Sequence, residues 1–278
     1  MANKYVRGTL FFGGIAIAFV VLSFISYAIY DSVIYGDDGL LSESSDDASC
    51  TVMGINLHGT MLTYVPNGMR GEEEEDATTE DVVGSEEVVS AIMSADADPN
   101  IKAILLEVDS YGGAPVAGEE IANALKALSK PSVAVIRQSG TSAAYLAATG
   151  ADRIFASMNS DIGSIGVTMS YLENVDDTKK YVQISSGKYK DAGDPDKSLT
   201  EEEKAVLLRD VRIVHENFIE AVAKNRNIPV EEVRKIADGS SVLGATGISL
   251  KLIDEIGSWT EAESYLEQQI GEKPVVCW

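Results

Sequence analysis

Basic residues are scarce in this sequence: 22 Lys and Arg stand against 44 Asp and Glu, for a formal charge of −22. So little Lys and Arg argues against nucleic acid as a partner, because phosphates need clustered cations. It argues equally against electrostatic docking on an anionic lipid surface. The acidic excess reads as a solubility feature. Histidine is scarcer still, with only His58 and His215. One ends an apolar run and the other sits in an amphipathic stretch, so a Ser/His/Asp triad is not readily assembled. No Cys/His cluster has metal-ligand spacing, and no metal or cofactor is expected. The two cysteines, Cys50 and Cys277, bracket the region between them. Outside the cytoplasm a disulfide between them is permitted, but sequence alone does not give their separation and leaves the pairing open.

What the sequence does contain begins with a run free of charge, from Leu10 to Tyr30. As a helix its 21 residues rise about 1.5 Å each and span about 30 Å, the depth of a bilayer's hydrocarbon core. Lys4 and Arg7 precede it, while Asp31, Asp37 and Asp38 follow. The positive-inside rule then leaves residues 1–9 in the cytoplasm and sends the rest across. A cleaved signal peptide would carry an apolar core of about 7–15 residues and a small-x-small cleavage site, and neither fits. The expectation is an uncleaved signal anchor over 10–30, a solvated Asp-, Ser- and Gly-rich tether over 31–49, and a globular region over 50–278.

Within that region strand and helix signals alternate. Thr51–Leu57 reads as a first strand, and the polar segment Arg70–Gly84, with its EEEED run, as an exposed loop. Glu86–Met93 is amphipathic, and Ala103–Val108 (AILLEV) is an apolar run of buried-strand type. Ala117–Leu128 has helical period, Ser132–Ile136 is strand-like, and the small apolar residues 143–149 suit a buried helix before a strand at Arg153–Ala156. This alternation predicts an α/β fold with a mostly parallel sheet covered by helices. Thr200 and Glu203 predict a capping box opening a long helix to about Asn225. Shorter helices are expected over Pro229–Ala237, closed by Gly239, and over Trp259–Gln269.

Three turns that follow predicted strands hold the candidate chemistry, because ligands collect at such ends in α/β sheets. In Asp109-Ser110-Tyr111-Gly112-Gly113, the paired glycines suit the close backbone approach of an oxyanion hole. In Gln138-Ser139-Gly140-Thr141-Ser142, Ser142 opens a small-residue helix, where it is either an ordinary N-cap or a nucleophile. Ser139 and Thr141 are rival hydroxyls. With histidine poorly supplied, lysine is the remaining base, provided burial lowers its pKa. Ser185-Ser186-Gly187-Lys188-Tyr189-Lys190-Asp191, after the strand-like YVQI, offers Lys188 and Lys190. On an extended segment the two would share a face.

Taken in order, Ser-x-Gly-Gly, the serine turn, Gly163-Ser164-Ile165-Gly166-Val167 and Ser-Gly-Lys-Tyr-Lys-Asp resemble the signal peptide peptidase A family (serine peptidase family S49). The likeness runs from about Thr51 to Ile270 and includes Ile236-Ala237-Asp238-Gly239 and Leu252-Ile253-Asp254-Glu255-Ile256-Gly257. It implies a Clp protease/crotonase-like fold and a peptidase domain over 50–278. It also implies Ser142 as nucleophile, Lys190 as general base, Ser164 as a hydroxyl supporting the lysine, and an oxyanion hole from Gly112, Gly113 and the Ala143 amide. Implied substrates are signal-peptide remnants or other membrane-proximal apolar peptides, and the implied assembly is a homo-oligomeric ring whose copies complete one another's sites. Relatives that cleave stomatin-like membrane proteins, and an inactive scaffold, are the alternatives. The chain departs from the family pattern at Tyr111, where proline is usual and its loss loosens the turn, and at Ala143-Ala144, where glycines are usual and the added methyl groups are expected to narrow the groove or shift the oxyanion donor. The stretch between Ser164 and Lys190 is short for the family.

Overall fold

A computed structural model describes residues 50–66, 81–170 and 186–278. The expected anchor over 10–30, the tether, most of the acidic loop and the YVQI strand lie outside these residues. Among the described residues, no helix is long and apolar enough to cross a membrane.

The N-terminal part of the fold alternates strand and helix. Strand β1 (Val52–Leu62) and short β2 (Val82–Gly84) are followed by α1 (Ser85–Ala97), β3 (Ala103–Gly113), α2 (Pro115–Lys126), β4 (Ser132–Thr141), α3 (Ala143–Ala148), β5 (Arg153–Ala156) and β6 (Asp161–Gly163). After the gap come α4 (Glu201–Arg226), α5 (Val230–Ile236), β7 (Ser241–Leu243), α6 (Gly244–Ser249), β8 (Glu255–Ile256), α7 (Trp259–Ile270) and β9 (Val276–Cys277). The strands make one sheet in the order β2-β1-β3-β4-β5-β8, with β9 on β1, and β6 bridging β4 and β7. Every pairing is parallel except β6 with β7. This is the mostly parallel α/β sheet that the alternation predicted.

Period-two alternation along buried strands divides the apolar residues between two cores. Leu57, Ile104, Leu106, Val108, Ile136 and Ile154 face one side, against Val88 and Ile92 of α1 and Ile121 and Leu125 of α2. Val52, Leu105, Val133, Val135 and Phe155 face the other, against Ala262 and Leu266 of α7. Ile104 and Leu106 are wholly enclosed, and each such side chain contributes about 1.5–3 kcal/mol of burial free energy. That is why AILLEV is apolar at every position but Glu107: a central strand has no wet face, and the enclosed Glu107 carboxylate is paired with His58 and Arg137.

Three expectations are corrected. Asp109–Gly113 is not a turn after the strand, because β3 continues through it, with a register shift between Val108 and Ser110 against β4. The exposed loop expected over Arg70–Gly84 stops short of Val82, since residues 82–84 pair with Thr60–Leu62. The edges β7, β8 and β9 have no counterpart in the sequence reading.

The expected capping box is present: Thr200 Oγ1 accepts from the Glu203 amide at 3.2 Å, and the Glu203 carboxylate accepts from the Thr200 amide at 2.9 Å. Cys50 and Cys277 are disulfide-bonded with Cα atoms 5.8 Å apart, resolving the question the sequence left open. The bridge lies where β9 pairs with β1 at Val52–Val276.

Candidate active site

The site forms where β4 turns into α3. Ser142, at the corner, has φ 53° and ψ −129°, in the left-handed half of backbone space that a non-glycine residue enters at a cost of about 1–3 kcal/mol. Two backbone bonds hold it there. Its amide donates to the Gly163 carbonyl at 2.7 Å, and its carbonyl accepts from the Leu146 amide at 3.0 Å. The hydroxyl makes no capping bond, although it occupies the N-cap position. An ordinary cap serine spends its oxygen on the helix; this one presents it. The rival hydroxyls are withdrawn, since Ser139 and Thr141 are buried and lie 3.4 Å from each other.

The end of β3 lies against that corner. A Cβ on Gly112 (φ +99°) would stand 2.8 Å from Ser142 Cβ and 2.9 Å from the Ala143 nitrogen. Only glycine allows that approach. Behind it, Ser110 is enclosed; its Oγ donates to the Gly59 carbonyl at 2.6 Å and accepts from the Gly112 amide at 3.0 Å. The Ala114 amide donates to the Met61 carbonyl at 2.8 Å. Gly113, between these tethered amides, is exposed. Nothing in the Ser-x-Gly-Gly motif marks Ser110 for this task. The pairing of Gly59 with Ser110, 51 positions apart, has no local signal.

Ala143 and Ala144 do not narrow a groove, because both are packed into the main core. Tyr145 is also buried there, its hydroxyl donating to the Leu252 carbonyl at 2.8 Å. Burial pushes its phenol well above the ordinary value, so it stays neutral and offers no base.

No histidine reaches Ser142. His58 Nε2 is 2.9 Å from Glu107 Oε1, which also accepts from Arg137 at 3.1 Å. His215 lies on α4 with Nε2 buried and unpartnered among the described residues.

The lysines separate cleanly. Lys188 bonds Glu202 at 2.5 Å and sits 5.1 Å from the Tyr189 ring centre; the Glu202 bond raises its pKa, the wrong direction for a base. Lys190 is exposed, and its side chain has no hydrogen bond or ion pair among the described residues. No such contact joins it to Ser142 or to Ser164. The Ser164 hydroxyl instead donates to the Gly239 carbonyl at 2.8 Å, and Ser164 shares the positive φ (49°) of Ser142. The structure therefore packs Gly112 against Ser142 and the Ala143 nitrogen, sets Gly113 against Met61 as the next residue of the strand, places Ser164 just beyond Gly163, and shows no contact of Lys190 with any of them among the described residues. Two surface cavities of about 520 and 440 Å³, beside Tyr64 and beside Trp278, include none of these residues.

Comparison with known proteins gives a consistent pattern. A sequence model described as peptidase family S49 matches residues 124–273, more than half of the chain. A candidate protease of Methanocaldococcus jannaschii is 35% identical over 177 residues, or 62% of this chain; the chain spans 57% of that relative's length. A candidate signal peptide peptidase, SppA, of Enterococcus faecium is 26% identical over 248 residues, covering 86% of this chain and 70% of its own. Among solved structures, a ClpP1 mutant from Listeria monocytogenes overlaps 75% of this chain and 92% of its own, at TM-score 0.48 and 12% identity.

Proposed function

The chain belongs to peptidase family S49, and from that premise we propose that it is a membrane-anchored serine endopeptidase with Ser142 as nucleophile and Lys190 as general base. The observation that carries this reading is Ser142 itself: a strained corner residue whose hydroxyl makes no capping bond and has no partner among the described residues, met by a glycine that admits no side chain. Strain of this kind persists where the surrounding structure over-determines it, as at a nucleophile's turn.

In the proposed reaction, the neutral amine of Lys190 takes the proton of Ser142 as Oγ adds to the peptide carbonyl. The amides of Gly113 and Ala143 hold the oxyanion, since that of Gly112 is engaged by Ser110. The proton passes to the leaving amine, the C–N bond breaks, and water hydrolyses the acyl-enzyme by the reverse sequence. Lys190, exposed and unpaired among the described residues, is supplied by a neighbouring copy in a homo-oligomeric ring. The ring and a Clp protease/crotonase-like architecture are part of the proposal.

The uncharged run over 10–30 anchors the chain, with residues 1–9 cytoplasmic and the catalytic domain on the outer side. The Cys50–Cys277 disulfide supports that side, because such bonds persist in oxidising compartments. The substrates are apolar peptides near the membrane, such as signal-peptide remnants. Cleavage of fluorogenic apolar peptides by the full chain tests the reading. Wild type cleaves, Ser142→Ala and Lys190→Ala do not, and an assembly mixed from the two variants regains activity if neighbours share a site. Undiminished cleavage by Ser142→Ala removes the proposal.

A further inference from the structure

We propose that Ser110 is a positioning residue of the oxyanion site, clamping the Gly112 amide so that the Gly113 amide is the one presented beside Ser142. The inference rests on the reading of Ser142 as nucleophile.

Ser110 sits where both neighbouring ladders slip. The β1–β3 register shifts between His58 and Thr60, and the β3–β4 register shifts between Val108 and Ser110. A strand that slips on both sides loses the ladder bonds that would otherwise set the direction of its peptides. The Ser110 side chain, 1% exposed, replaces them. Its proton is committed to the Gly59 carbonyl at 2.6 Å, which turns a lone pair towards the Gly112 amide at 3.0 Å. Serine is suited to this task because one small hydroxyl both donates and accepts, and can close a turn on the amide two residues on.

The consequence lies one residue further. With the Gly112 amide held by Ser110 and that of Ala114 by Met61, the Gly113 peptide is fixed at both ends. Alternate amides of an extended strand point to opposite neighbours. With that of Ala114 directed to β1 and Gly112 packed against Ser142 and the Ala143 nitrogen, that of Gly113 is assigned to the Ser142 side. A preorganised donor stabilises the oxyanion far better than one that must reorient.

The test compares Ser110→Ala and Ser110→Thr in the full chain, each normalised to folded protein. Three quantities are read: peptide hydrolysis, inhibition by a peptidyl aldehyde, whose adduct places an oxyanion in the hole, and affinity for a product peptide, which does not. In Ser110→Ala, kcat should fall on the order of 10- to 100-fold, because the donor is misplaced and not removed. Aldehyde affinity should fall in step, while KM and product affinity stay within about twofold. Ser110→Thr, which keeps the hydroxyl, should recover most of the loss. Should the alanine not fold, the nearly isosteric Ser110→Cys, with its weak hydrogen-bonding thiol, is read in the same way. An unchanged kcat in Ser110→Ala would overturn the proposal, as would equal losses of aldehyde and product affinity, which mark a merely structural role. Loss of the nucleophile reading is seen separately: hydrolysis and aldehyde inhibition would then both survive Ser142→Ala.

Discussion

Gly112 lies so close to Ser142 that a methyl group on the glycine would stand 2.8 Å from the serine's Cβ. The strand end and the helix corner are thus fitted to each other with no room for adjustment. Gly112→Ala must either push the corner away or rotate a backbone held at φ +99°. The expected result is a stability loss of about 1–3 kcal/mol and a kcat loss on the order of 100-fold in the protein that still folds. Urea unfolding and peptide hydrolysis measure the two effects.

Lys188 and Lys190 are predicted to behave oppositely. Lys188 is tied to Glu202, an exposed pair of the kind that contributes little. Lys188→Ala should leave hydrolysis within about twofold of wild type, whereas Lys190→Ala should abolish it. The reverse pattern would move the base to Lys188.

Glu203 supplies a pH signature for the long helix. Lys197, bonded at 2.6 Å, and then the Thr200 amide and hydroxyl hold its carboxyl down to about 2. The folded pKa lies below the ordinary value of about 4.3, so the stabilisation is complete above that pH and is lost as pH falls through about 2. The difference in urea midpoint between wild type and Glu203→Gln, present at neutral pH, should therefore close over that acid window. A difference that persists to the acid end would disprove the assignment.

The disulfide joins the two ends of the folded region, its cysteines at a sequence separation of 227. Cross-linking so long a loop restricts the unfolded chain, and the double variant Cys50→Ser/Cys277→Ser should lose about 2–4 kcal/mol. Non-reducing peptide mapping detects the bond, and chemical unfolding measures the loss.

What could be read in the sequence depended on how local its cause was. AILLEV announced a central strand because both of its faces are enclosed, and Thr200 with Glu203 announced a helix start because the capping bonds span three residues. The alanine-rich stretch after Ser142 announced a buried helix for the same local reason. The glycine pair misled: Gly112 and Gly113 suggested a turn, yet they belong to a strand end pressed against Ser142 and the Met61 carbonyl. Strands β7 to β9 have two or three residues each, too few for a period, and exist through partners distant in sequence. Of the site, the serine and the glycines were legible from their motifs. The positive φ of Ser142 and Ser164, the Ser110 clamp and the engagement of Lys188 by Glu202 were not, because each depends on the fold bringing separate segments together.

The most direct test of the account is peptide mapping of the full chain after treatment with a fluorophosphonate. The account predicts one adduct, on Ser142, absent from Ser142→Ala and slow to form in Lys190→Ala. An adduct on another serine, or a preparation that cleaves peptides while Ser142 stays unmodified under saturating probe, would contradict it.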